Sequence, residues 1–121
     1  MQPKINIKRA YEDVSKKDGF RVLADRLWPR GVAKEQAQID EWAKDLAPTT
    51  TLRKCYGHEP ELWPEFQKKY TAELKANDAV DEFVEAHKDK KLITLVYAAK
   101  DEAHTHALVL KGYLEGKFGK A

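Results

Sequence analysis

A single cysteine, Cys55, excludes an intrachain disulfide, so packing and polar bonding must hold the chain together, as expected of a protein in a reducing compartment. Neither CxxC nor HExxH occurs, and these tight spacings are what makes a metal site legible in a sequence. Of the four histidines, only His104 and His106 are close, and they share a face on a strand but not on a helix. No metal and no cofactor are expected. The six glycines form no phosphate-cradling loop, so P-loop or Rossmann nucleotide binding is not indicated. No apolar run approaches the length of a membrane span, and the start, MQPKINIKRAY, lacks the apolar core of a signal peptide. A cytoplasmic protein without membrane partners is the expectation. A net charge of only +2 argues against a molecule that binds polyanions with its whole surface.

The 121 residues suit one α/β domain spanning 1–121. A chain of this size buries about two-thirds of its unfolded surface. Three Trp, five Tyr and four Phe supply the bulk for a core and argue against disorder. Charged residues reach 35%, well above the usual quarter. Their distribution is uneven. Residues 8–34 hold eight Lys/Arg against four Asp/Glu, residues 35–86 hold six against twelve, and residues 87–121 hold seven against four. If the first and last thirds meet, one face is positive and attracts anions.

Ile5 and Ile7 alternate with polar neighbours and predict a strand over Lys4 to Ala10. The polar EDVSKKDG is a loop, and FRVLADRLW is a second strand running to Trp28, which the following Pro29 biases to extended geometry. Ile39, Trp42, Ala43 and Leu46 fall on one helical face, closed by Pro48. Leu62, Phe66, Tyr70 and Leu74 predict a helix starting near Glu61, where Pro64 is tolerated. Asn77-Asp78 can cap a helix carrying Val80, Phe83 and Val84. LITLVYAA, residues 92–99, reads as a central strand covered on both faces. Asp101 can cap a last helix with Ala103, Ala107, Leu110 and Leu114 inward. The sum is a small layered α/β fold with a mostly parallel sheet of three to four strands flanked by helices. The connection of about nine residues between the first two strands is long for a hairpin and short for a parallel crossover, so their relative direction stays open.

DGFRVLADRLWPRGVAKE, IDEWAKDLAPTTTLRK, YGHEPELWPEFQKKYTAEL and LITLVYAAKDEAHTHALVL follow in the order and spacing of the YeaO-like bacterial proteins. The chain resembles that domain-of-unknown-function family from about Ile5 to Leu114. The resemblance implies an α/β fold with a parallel sheet and supplies no activity. Some members carry a transcription-regulator label, which no helix-turn-helix element here supports. The resemblance also implies an aromatic residue, as in LRxWxGH, where Cys55 stands, which argues against a cysteine nucleophile.

In open α/β sheets ligands bind beyond the carboxyl ends of the strands. The first predicted strand exits at Arg9 and Tyr11, the second at Asp25, Arg26, Trp28 and Arg30, and the third at Lys100 and Asp101. Arg26 and Arg30 suit the paired N–H grip on a phosphate or carboxylate. Asp25 is a candidate base, or else an internal partner of Arg26, Arg30 or Lys100. His58, before a helix start, is a candidate acid/base group or a cap. Asp101 reads more readily as a cap than as an acid, His104 is able to face the same cleft, and His87 reads as an exposed helix end. Trp28, Trp42, Trp63, Phe66 and Tyr70 read mostly as core, Trp28 being the one able to stack on a planar ligand. The expected partner is a small anionic ligand, bound with or without turnover. The alternative, resting on the basic first and last thirds, is a nucleic-acid-binding or regulatory accessory module. The oligomeric state is not legible.

Overall fold

The computed structural model describes residues 3–57, 59–100 and 103–120. Among them are four strands, β1 (Lys4–Arg9), β2 (Phe20–Leu23), β3 (Glu41–Trp42) and β4 (Leu92–Tyr97). They form one all-parallel sheet in the order β1-β4-β2-β3. The helices are α1 (Lys34–Ala37), α2 (Thr50–Tyr56), α3 (Trp63–Lys75), α4 (Asp78–His87) and α5 (His106–Lys120).

β4 is central because its apolar run can be covered on every side. It pairs with β1 from Lys4↔Leu92 to Arg9↔Tyr97, and with β2 from Phe20↔Ile93 to Leu23↔Val96. The first two strands therefore never pair. They lie either side of β4 and point the same way, which resolves the direction the sequence leaves open. Residues 10–19 carry the chain back from the end of β1 to the start of β2. Ten residues reach about 33 Å when extended, and a six-residue strand measures about 20 Å, so no crossover helix is needed.

The period-two alternation divides the sheet into two chemically distinct faces. Ile5, Val22, Ile93 and Leu95 point toward the helices and join Phe66, Tyr70, Leu74, Leu110, Leu114 and Phe118 in the core. Burying each such large side chain contributes about 1.5–3 kcal/mol. The opposite face carries a polar core. Asp18 accepts from Lys8 Nζ at 3.1 Å and from Arg21 Nη1 at 2.6 Å. Thr94 Oγ1 donates to the Asp18 carbonyl at 2.6 Å, and Arg21 Nε donates to Ala37 O at 3.1 Å. Asp18 also closes a capping box by accepting the Ser15 amide at 3.0 Å. Burial alone would raise its pKa. The Ser15 amide, Lys8 and Arg21 together outweigh that, and the carboxyl is held below its ordinary value. Gly19, at φ +67°, brings β2 in beside β4, where a Cβ would stand 2.6 Å from Leu92 O.

Several sequence expectations are corrected. β2 ends at Leu23, not at Trp28. The helix expected from Ile39 to Leu46 is absent. Asp40 instead clasps the edge of β2, its N–H donating to Arg21 O at 2.9 Å and its Oδ2 accepting from Arg21 N at 2.8 Å. That pairing draws Glu41–Trp42 into β3 and leaves a single tight turn over Lys44–Leu46. Trp42 is consequently 37% exposed rather than core. The last helix begins at His106, and Ala103 is exposed. His87 is buried, its ring between Phe20 and Phe83 and its Nε2 2.9 Å from Glu41 Oε1. The expected cap, Asp101, lies outside the described residues. Asn77 does cap α4, accepting from Ala79 N at 3.0 Å, and α3 starts at Trp63 with Pro64 in its first turn. Among the described residues no helix is long and apolar enough to cross a membrane.

Candidate functional site

The parallel sheet brings the exits of β1, β2 and β4 to one end, and there Asp25 does the work of a missing strand residue. Ala24 N–H still donates to Val96 O at 2.9 Å, as in the ladder. One residue later the Asp25 side chain takes over, its Oδ2 accepting the amide of Ala98 at 2.9 Å. From the other side Arg9 Nε donates to Ala99 O at 2.9 Å and Nη2 to Ala98 O at 3.4 Å. Asp25 and Arg9 thus clamp the departing β4 chain between them. Asp25 makes no ion pair with Arg26, Arg30 or Lys100 among the described residues, so the internal pairing weighed from sequence is not what holds it. Its neighbour is His106, at the start of α5. His106 Nε2 lies 3.0 Å from Ala24 O and 3.2 Å from Asp25 Oδ1. A carbonyl only accepts, so Nε2 carries the proton. That proton is directed at Ala24 O, which leaves Asp25 Oδ1 buried without a well-aligned donor.

A cleft of about 330 Å³ opens at this end. Its polar walls are built by three chain segments. Arg26 reaches from the β2 exit to the chain ahead of α2, donating from Nε to Pro48 O and from Nη2 to Ala47 O, both at 3.2 Å. Arg30 sits on the turn after Pro29. That turn is held by Trp28 Nε1 donating to Val32 O at 2.6 Å, by Tyr11 Oη donating to Arg30 O at 3.0 Å, and by Gly31 at φ +78°. Arg53 comes from α2, whose start is fixed by Thr49. The Thr49 hydroxyl accepts from Leu52 N at 3.2 Å and donates to Glu73 Oε2 at 2.6 Å. Among the described residues neither the Arg30 nor the Arg53 guanidinium has a hydrogen-bond or ion-pair partner, and Arg26 bonds only to neutral carbonyls. Arg26, Arg30 and Arg53 line the cleft, the last two exposed, and Asp25 is the one carboxylate of the lining among the described residues, itself bonded into the backbone.

The residues singled out from sequence divide accordingly. Tyr11, Asp25, Arg26 and Arg30 line the cleft. Arg9 stands behind it as a backbone clamp, its guanidinium 5.3 Å from the Tyr11 ring centre. Lys100 is exposed and outside the lining. His58 and Asp101 lie outside the described residues. His104 lies edge-on to Trp63 at 5.5 Å and borders a smaller hollow of about 40 Å³ that shares Arg53 and His106 with the cleft. Sequence reading missed His106 and Arg53. The signal for Arg53 was present: Thr49 as a cap, Leu52 and Tyr56 four apart, and Gly57 left-handed at φ +56° as a helix stop. Among the described residues no group of three or more His, Cys, Asp or Glu side chains is placed to hold a metal ion. A larger depression of about 530 Å³ borders Gly19 and Gln38. Its Arg21 and Asp40 are already satisfied by Asp18, Ala37 O and each other's segments.

A family model described as the inactive DUF488-N3 subclade matches residues 4–121. The chain belongs to that family. The uncharacterised protein YeaO of Escherichia coli (strain K12) is 39% identical over 110 residues, covering 91% of this chain and 96% of that one. The uncharacterised proteins Mb3100c of Mycobacterium bovis and Rv3073c of Mycobacterium tuberculosis (strain H37Rv) are each 37% identical over 116 residues, covering 96% of this chain and 98% of theirs. The resemblance to YeaO-like proteins thus holds over most of the length. No solved structure matches the chain.

Proposed function

We propose that this member of the inactive DUF488-N3 subclade binds a small anionic ligand in the strand-exit cleft and does not turn it over. The observation that carries the reading is the set of three arginines, Arg26, Arg30 and Arg53, lining one cleft with no carboxylate partner among the described residues. Arg21 commits its guanidinium to Asp18 and Arg9 its own to the Ala98 and Ala99 carbonyls, whereas those of Arg30 and Arg53 have no partner among the described residues. Together with Arg26, whose charge meets only neutral carbonyls, they raise the local potential around the hollow and favour an anion. Asp25 and His106 each hold a backbone atom, Ala98 N and Ala24 O, while lying 3.2 Å apart, and the family's description as inactive agrees with binding alone.

The test is a titration of the isotopically labelled protein with pyrophosphate and with citrate at low ionic strength, followed by nuclear magnetic resonance. Arginine Nε–H signals of Arg26, Arg30 and Arg53 and the amides of Ala98 and Ala99 should move together and saturate. Shifts confined to other surfaces, or none with either anion, would remove the reading.

A further inference from the structure

We propose that the ligand of this cleft is a nucleoside monophosphate unit, with its phosphate on the arginines and its base against the aromatic wall. The inference rests on the anion-site reading above and adds the ring. Among the described residues the exposed large apolar side chains are Tyr11 at 51%, Leu27 at 66% and Trp42 at 37%. All three stand at the end of the sheet that bears the arginines. Tyr11 follows β1, Leu27 follows β2, and Trp42 closes β3. Tyr11 and Leu27 line the cleft with Trp28, and Trp42 packs edge-on to Trp28 with ring centres 5.5 Å apart.

One exposed leucine needs no explanation, but a cluster of apolar groups rimmed by unpaired charge marks a binding surface. A bare inorganic anion would be served by the arginines and would gain nothing from apolar walls. The rings are also held in place. Trp28 Nε1 is bonded to Val32 O, Trp42 Nε1 to Asp25 O and Tyr11 Oη to Arg30 O. Fixing the polar edges of these rings limits their rotation before any ligand arrives, which lowers the entropic cost of binding a flat group. Flat apolar faces beside guanidiniums are the combination that stacks bases and grips phosphates. The volume sets the size of the ligand. At about 330 Å³, the cleft sits at the low end of the roughly 300–1,000 Å³ of ligand pockets. It suits one nucleotide, either free or at the end of a strand, rather than a dinucleotide.

Affinities of the full-length chain would be measured by calorimetry, with tryptophan fluorescence compared between the parent and Trp28→Ala, since Trp42 and Trp63 also emit. The probes are the four ribonucleoside 5′-monophosphates, ribose 5-phosphate, inorganic phosphate, the four nucleosides and a short single-stranded oligonucleotide bearing a 5′-phosphate. At least one monophosphate should bind on the order of tenfold or more tighter than ribose 5-phosphate, as one base–aromatic stack provides, and should quench the fluorescence. Arg53→Ala should weaken ribose 5-phosphate and the nucleotide alike. Leu27→Ser, at an exposed position that the fold does not need, should weaken only the nucleotide, and Trp28→Ala should do so more strongly. A preference for the oligonucleotide over the free monophosphate identifies a strand end as the source, and the reverse identifies a free nucleotide. Equal binding of monophosphates and ribose 5-phosphate overturns the ring while leaving an anion site. Nucleosides binding as tightly as their monophosphates overturn the proposal from the other side, and no binding by any phosphate compound overturns it outright, while the anion reading falls only if citrate also fails to bind.

Discussion

Asp25 Oδ2 accepts the amide of Ala98 at 2.9 Å, so a side chain from one strand exit stands in for the backbone partner that the neighbouring strand has lost. The bond explains why an acid follows directly on the apolar run of β2. Strands β2 and β4 diverge at this point, and an unpaired buried amide would cost about 1–3 kcal/mol. With Arg9 holding Ala98 O and Ala99 O from the β1 side, the pair fixes the chain that forms the cleft floor. Rigidity at the floor comes before any ligand chemistry, because the arginines are useful only on a fixed frame.

Replacing Asp25 with Ala should therefore lower the unfolding free energy by about 1–3 kcal/mol, read as a shift in the urea midpoint at unchanged slope. Asp25→Asn retains a carbonyl oxygen able to accept from Ala98 and should recover most of the loss. A variant as stable as the parent would show that water substitutes for the carboxylate without cost.

Acid sensitivity should concentrate in the polar face. Asp18 has its pKa held below the ordinary 3.8 by the Ser15 amide, Lys8 and Arg21, against the opposing effect of burial. A depressed carboxyl contributes stability that is fully present above the unfolded value and disappears as the pH falls through the folded one. Between neutrality and about pH 5 this contribution should be flat, and it should decline below the unfolded value. Below that value urea midpoints should fall less steeply for Asp18→Asn than for the parent, from a lower neutral starting point. Arg21→Met leaves the Asp18 carboxylate short of its closest cation and should cost about 3–5 kcal/mol at neutral pH.

Gly19 offers a test of the short crossover. At φ +67°, an alanine is strained by about 1–3 kcal/mol, and its Cβ would meet Leu92 O at 2.6 Å. Gly19→Ala should destabilise by more than the strain alone, since the neighbour is strand backbone and cannot yield. A loss below about 1 kcal/mol would mean that β2 shifts relative to β4.

Much of this architecture is legible from single residues. LITLVYAA announces the central strand because nothing polar interrupts it apart from Thr94, and Thr94 is satisfied by Asp18 O. Pro64 and Asn77 mark helix starts through local geometry that any context preserves. The stretch from Ile39 to Leu46 misleads for the opposite reason. Its apolar spacing is helical, yet β2 has a free edge and Asp40 binds it through two hydrogen bonds, a tertiary partner that periodicity cannot register. The parallel sheet and the strand-exit rule locate Tyr11, Asp25, Arg26 and Arg30 in one hollow. They do not separate Arg9, which faces carbonyls behind it, from Arg26, because both are cations at a strand exit, Arg9 the last residue of β1 and Arg26 three past the end of β2. The start and stop of α2 are legible around Arg53, but that Arg53 and His106 reach this hollow is visible only when α2 and α5 are docked.

That docking leads to the sharpest comparison, between Arg26 and Arg53. Arg26 serves two masters, donating to Ala47 O and Pro48 O while lining the cleft. Arg53 lines the same cleft with no partner among the described residues. Arg53→Ala should leave the urea midpoint within the ±0.5 kcal/mol typical of surface changes, yet weaken anion binding by a charge-assisted contact, about 1.5–3 kcal/mol or roughly ten- to a hundredfold. Arg26→Ala should show both losses, because two carbonyls lose their donors and the ligand loses a guanidinium. Arg26→Lys and Arg53→Lys sharpen the contrast. Lysine restores the charge but cannot reach two carbonyls and an anion at once, so it should rescue binding at position 53 better than stability at position 26. Equal effects of the two alanine variants on both stability and binding would mean that the cleft arginines are interchangeable parts of the scaffold, and the anion site would have to be sought elsewhere.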